Sequence, residues 1–142
     1  ENFEDSGTKI QGYDLKYKQG SDALKLVLFD EEGNAIGYLS LLKRNASTYQ
    51  ITTSAVGTQF KRQGIMTALY VAAVEQFNIE IVSDSTWTKG AEMLWKKLIT
   101  LPNVTVYWRN LEDGEEGDVK KSLPRGFFKD ANMRLVLKNE VI

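Results

Sequence analysis

Apolar and polar residues change their period near the middle of the chain. Tyr13 to Tyr17 (Tyr-Asp-Leu-Lys-Tyr) alternates, which predicts a half-buried strand. Leu24 to Phe29 and Ala35 to Leu42 predict two more, joined as a hairpin by the turn residues Asp30-Glu31-Glu32-Gly33-Asn34. After Asn45-Ala46-Ser47, the β-branched run Tyr49 to Val56 predicts another strand. From Gly64 to Phe77 the alternation stops and helix formers dominate. Ile65, Ala68, Leu69 and Ala72 mark one face of that helix, and Met66, Tyr70 and Ala73 another. A helix apolar nearly all round is expected to be buried on most sides.

The rest is more broken. Ile79 to Val82 reads as a short strand, with Ser83-Asp84-Ser85-Thr86 offering N-caps for a second helix whose face holds Ala91, Leu94, Trp95 and Leu98. Val104 to Trp108 and Met133 to Leu137 are further strands. Residues 1–8 read as a loose polar terminus, and 111–130 as a long loop that is either solvated or substrate-facing. Antiparallel strands followed by alternating helices and strands imply one α/β (α+β) domain over 1–142, with a mixed sheet covered by helices.

Composition narrows the chemistry. With 142 residues, 42% apolar and 26% charged, the chain is ordinary for one globular domain. A net charge of -1 argues against a general nucleic-acid binder. Cysteine and histidine are both absent, which excludes disulfides, thiolate or imidazole metal sites, and Ser-His-Asp hydrolysis. Acid–base work falls to carboxylates, Lys, Tyr or water. The longest apolar run, Ala68 to Val74, is too short to span a bilayer, and Glu1-Asn2-Phe3-Glu4-Asp5 is no signal sequence, so a cytoplasmic protein is expected.

The chemistry-bearing stretch runs from Ala55 to Leu69. It joins a β-branched strand to a basic turn and the first turn of an apolar helix. Free N–H groups and the positive dipole end at a helix start form an anion seat. Gly64 lets the backbone approach a phosphate, while Lys61 and Arg62 add charge. Neither a P-loop nor a GxGxxG pattern is present.

Lys61-Arg62-Gln63-Gly64-Ile65-Met66 resembles the [Q/R]xxGx[G/A] turn of the GNAT acyltransferases, with Gly64 matching, Lys61 for Gln/Arg, and Met66 where Gly or Ala is usual. Thr88-Lys89-Gly90-Ala91-Glu92-Met93-Leu94-Trp95 resembles the family's Asn-x-x-Ala-x-x-Leu-Tyr, with Thr88 for Asn and Trp95 for Tyr. Ser83 to Leu98 also looks like acetyltransferase-like proteins of bacteriophages, for which the compartment would be the host cytoplasm. The resemblance covers residues 24 to 108 well. It implies a GNAT-like, mainly antiparallel sheet with helices on both faces, and a splayed strand pair forming an acyl-CoA cleft. It also implies acetyl-CoA as cofactor and an amine acceptor, with a homodimer as the candidate assembly. The cofactor would be bound by Ala55, Val56, Lys61, Arg62, Gln63, Gly64, Ile65 and Met66. Transfer by direct attack needs no enzyme nucleophile. Asp84 is the candidate base or, alternatively, an N-cap of the second helix, Ser85 a cap or a hydrogen-bonding partner for the thioester, and Tyr70 and Tyr107 are the candidate acids. The alternative is a GNAT-like module that binds CoA or a partner protein without turnover.

Overall fold

The computed structural model describes residues 2–61, 63–120 and 124–139. Its strands are β1 (Glu4–Ile10), β2 (Tyr13–Gln19), β3 (Ala23–Phe29), β4 (Ala35–Lys43), β5 (Thr48–Val56), β6 (Glu80–Val82), β7 (Val104–Asn110), β8 (Glu116–Asp118) and β9 (Met133–Asn139). Two helices, α1 (Ile65–Phe77) and α2 (Lys89–Ile99), flank β6 in sequence. The strands form one sheet in the order β1-β2-β3-β4-β5-β6-β9-β7-β8. Among the described strands only β5 and β6 run parallel, joined by the crossover through α1, as a parallel pair requires.

Alternation decides which side of each strand meets the helices. Leu24, Leu26 and Leu28 of β3 share the core with Leu39 and Leu41 of β4 and Leu135 and Leu137 of β9. A side chain at Gly37 of β4 would point at Ile65 of α1, which identifies this as the helix-covered face. Tyr70 of α1 and Trp95 of α2 meet edge-on, with ring centroids 6.0 Å apart. The mainly antiparallel mixed sheet is as expected, and its two described helices stand together on one face. The apolar surround of α1 follows from that position, with the sheet beneath it and α2 alongside. Ile65, Leu69, Tyr70, Ala72, Ala73 and Val74 are all buried.

Two segments differ from the sequence expectation. The polar residues after Phe3 are not loose, because Glu4–Ile10 pairs with β2 as an edge strand. Gln11 and Gly12 both take positive φ (53° and 88°), the geometry of a two-residue hairpin turn. An edge strand exposes one or both faces, so its polar sequence carries little strand signal. Within 111–130, Glu116–Asp118 forms β8 against β7. A Cβ at Gly117 would fall inside the Trp108 indole, so only glycine lets these strands close. Glu116 is further held by the Arg109 guanidinium, which also donates to Glu80 Oε1 at 2.8 Å.

The cap of α2 is also reassigned. Thr88 Oγ1 accepts from the Ala91 N–H at 3.1 Å, so the cap is Thr88 and not a residue of Ser83–Thr86. Ser83 extends the sheet instead. Its N–H donates to the Leu135 carbonyl at 2.8 Å, and its Oγ accepts from the Leu135 N–H at 2.9 Å.

Candidate functional site

The parallel pair comes apart. β5 and β6 match at Thr48–Glu80, Tyr49–Ile81 and Gln50–Val82, where β6 ends. β5 continues for six residues, Ile51 to Val56, paired with β4 alone. The backbone groups on its other edge are therefore free for a partner. Thr52 to Ala55 are exposed, whereas Thr48 and Tyr49 are buried.

The open side of this split is a cleft of about 610 Å³ between β5, α1 and α2. Ala55, Val56, Lys61, Gly64, Ile65 and Met66 all line it. Gly64 is the N-cap of α1 with φ 75°, a left-handed backbone that other residues adopt only at a cost. No side chain caps the helix, so its first N–H groups carry no side-chain acceptor. Gln63 faces elsewhere, into a neighbouring groove along α1, and its carbonyl accepts from Gln11 Nε2 at 2.5 Å. Arg62 lies outside the described residues.

A residue missed from the sequence completes the positive end of the cleft. Lys97, in the last turn of α2, lines both the cleft and the groove, and its Nζ would stand 3.4 Å from a Cβ at Gly64. Lys97 lies thirty-three positions beyond Gly64 in sequence, so nothing local could signal their meeting.

At the closed end lies a smaller cavity of about 210 Å³. Tyr70, Asp84, Thr88 and Trp95 contribute to its wall, together with Ser54 of the free half of β5, which also lines the cleft. Burial raises the Tyr70 hydroxyl's pKa well above that of an ordinary tyrosine, so it stays protonated across the working range. Asp84 is exposed, and its Oδ1 accepts the Ser85 N–H at 2.7 Å. Ser85 is not in the cavity wall. Tyr107 is elsewhere, beneath Lys138 Nζ at 4.8 Å from its ring centroid. Tyr70 and Asp84 thus come together, and Ser85 and Tyr107 do not join them.

The cleft contains cationic and backbone donors. No helix among the described residues is long and apolar enough to cross a membrane. No group of three or more His, Cys, Asp or Glu suited to a metal occurs among the described residues.

Residues 2–81 match the acetyltransferase (GNAT) family, and the chain belongs to that family. A GNAT family acetyltransferase from Elizabethkingia anophelis, solved with acetyl-CoA bound, has the same fold at TM-score 0.51 and 12% identity, over 92% of this chain and 100% of that one. An IAA acetyltransferase from Bacillus cereus ATCC 14579 aligns at TM-score 0.48 and 17% identity, over 84% and 79% of the two chains. The ribosomal-protein-S18-alanine N-acetyltransferase from Escherichia coli aligns at TM-score 0.46 and 16% identity, over 84% and 69%. No curated protein matches the chain.

Proposed function

We propose that the protein transfers an acetyl group from acetyl-CoA to an amine, a small molecule's or a protein's, by direct attack. One observation carries this reading: the unpaired edge of Ile51–Val56 leads from the open N-terminus of α1 to the cavity holding Tyr70 and Asp84. Bound acetyl-CoA would supply the activated acyl group. The free N–H and C=O groups of Ile51–Val56 suit the amide-bearing pantetheine arm, as a strand partner would. The α1 N-terminus, Lys61 and Lys97 suit the pyrophosphate, through backbone donors and two ammonium charges.

Asp84 takes the proton that the amine must lose, directly or through one water. The amine nitrogen forms the new C–N bond as the C–S bond breaks and the electron pair leaves on sulfur. Tyr70 is a weaker acid than a thiol, given its raised pKa. Its role is therefore to donate a hydrogen bond to the developing negative charge, while solvent supplies the proton that neutralises the thiolate. Ser85 positions Asp84 through its N–H. Trp95 packs against Tyr70 and restricts its ring.

A second reading, CoA binding without turnover, is favoured by one feature. Among the described residues no carboxylate lines the larger cleft, and Asp84 is exposed on the rim of the smaller cavity. The two readings separate in one experiment. Acetyl-CoA at 100 times its Kd stabilises a native state by about 2.7 kcal/mol, which raises Tm by about 5–10 °C for a domain of this size. Gly64→Glu abolishes that shift. Mass spectrometry of an amine panel then detects an acetylated product for the enzyme and none for the silent module. No shift with the parent protein defeats both.

A further inference from the structure

Across β6 and β9 the register is antiparallel, with Val82 opposite Val136. The Ser83–Leu135 hydrogen bonds carry it one step further. The next pair in register is therefore Asp84 and Arg134. Cross-strand neighbours stand about 5 Å apart at Cβ. A salt bridge would be the ordinary outcome, yet these two form none among the described residues. Asp84 Oδ1 accepts from the Ser85 N–H, and the Arg134 Nη1 is buried without any hydrogen-bond partner among the described residues.

An unpaired buried nitrogen on a charged group is costly and calls for an explanation. Folding alone does not supply one, because the adjacent Arg109 on β7, opposite Arg134 in the sheet, is fully engaged by Glu80 and Glu116. Charge near Arg134 is also unbalanced. Desolvation lowers its pKa, Asp84 raises it, and the nearby Arg44 lowers it, so two guanidinium groups act beside one carboxylate. The location matters as well. Asp84 is in the wall of the cavity where β5 has parted from β6, and the β6–β9 register makes Arg134, which does not itself line that cavity, its cross-strand neighbour.

We propose that the acceptor is an amine carrying an anionic oxyacid group on a short chain, with Arg134 binding the anion and Asp84 facing the amine. This rests on the acetyltransfer reading and adds the substrate class to it. A guanidinium binds carboxylate or phosphate by paired N–H donors, which a lysine cannot reproduce in geometry. Arg44 raises the local positive potential and draws the anion to the same end. The cross-strand spacing of Asp84 and Arg134 limits the separation of amine and anion to a few bonds.

Matched acceptors test it, with 4-aminobutyrate set against n-butylamine and O-phosphoethanolamine against ethanolamine. Two readouts apply to the acetyl-CoA-loaded protein: kcat/KM from thiol release, and binding followed by tryptophan fluorescence from Trp87 and Trp95. The anionic member of a pair is expected to be favoured at least tenfold, and the pair showing it tells carboxylate from phosphate. Arg134→Gln erases the preference through KM, Arg134→Lys restores part of it, and Arg44→Gln weakens it. All three keep the acetyl-CoA thermal shift. Equal or better use of the uncharged amines overturns the proposal, as does a preference that survives Arg134→Gln. Failure of every amine to bind while the acetyl-CoA shift persists overturns it too, leaving the cofactor reading intact. Loss of the shift in the parent protein brings down both.

Discussion

The two halves of β5 share a strand but not an environment. Tyr49 and Gln50 are paired on both sides, to β4 and to β6, and Thr48 and Tyr49 are buried. Ile51–Val56 is paired on one side only and is mostly exposed. The first half stabilises the fold. The second offers unpaired backbone groups along a cleft, which a folded domain keeps only where water or a ligand can satisfy them. One strand thus changes from scaffold to binding edge within a residue, at the point where β6 stops.

The largest effect should come from breaking the scaffold half. Tyr49→Ala removes a buried aromatic and should cost about 3–5 kcal/mol, read as a lower urea midpoint. Loss of the tyrosine hydroxyl at the closed end of the cleft should spare stability and acetyl-CoA binding but reduce kcat. For Tyr70→Phe a drop of about 100-fold is expected, as for removal of one transition-state donor. Unchanged kcat would remove Tyr70 from the mechanism.

Next in size is the open end. Gly64→Ala places a Cβ on a left-handed residue, which should cost about 1–2 kcal/mol. It should also weaken acetyl-CoA, because a Cβ at Gly64 stands between the backbone N–H groups and a phosphate and takes space beside Lys97 Nζ. Calorimetric titration separates that loss from the stability change.

Acid probes the scaffold half again, through Glu80, which accepts from Thr48 Oγ1 at 2.6 Å. Burial raises the Glu80 pKa, but hydrogen bonds from Arg109 and Thr48, with the charges of Arg109 and Lys138, outweigh it and the net shift is downward. A lowered carboxyl pKa contributes stability that is complete above the unfolded value, near 4.5, and disappears as pH falls through the folded value. Glu80→Gln should therefore flatten the loss of stability below about pH 4.5 in urea titrations. Smallest of all is the exposed half. Thr53→Ala should shift stability by no more than about 0.5 kcal/mol. A larger loss would mean that this half also carries the fold.

Much of the fold was legible because burial imposes a period. Leu24 to Phe29 and Met133 to Leu137 read as strands, and the all-round apolar helix from Gly64 read as buried. Edge elements were not legible. Glu4–Ile10 and Glu116–Asp118 are polar, and their pairing depends on the Gln11-Gly12 turn and the Trp108–Gly117 contact rather than on burial. The cap of α2 was misplaced because several Ser, Thr and Asp residues precede it, and only the helix start selects Thr88. Of the candidate site, the cleft-lining turn at Gly64 could be read locally, since its glycine and basic residues are contiguous. Lys97 and Arg134 could not.

By itself, the sequence excluded several chemistries and marked one anion-binding turn. Without histidine or cysteine, Ser-His-Asp hydrolysis and imidazole or thiolate metal sites were excluded, and the Lys61–Met66 turn pointed to an anion seat before a helix. Both conclusions rest on residue type and short spacing, which are local properties. Tertiary structure alone decided where β5 leaves β6, that Lys97 reaches Gly64, and that Arg134 stands opposite Asp84 without pairing. Strand register and helix docking bring together residues dozens of positions apart, and no local pattern of side chains encodes those distances.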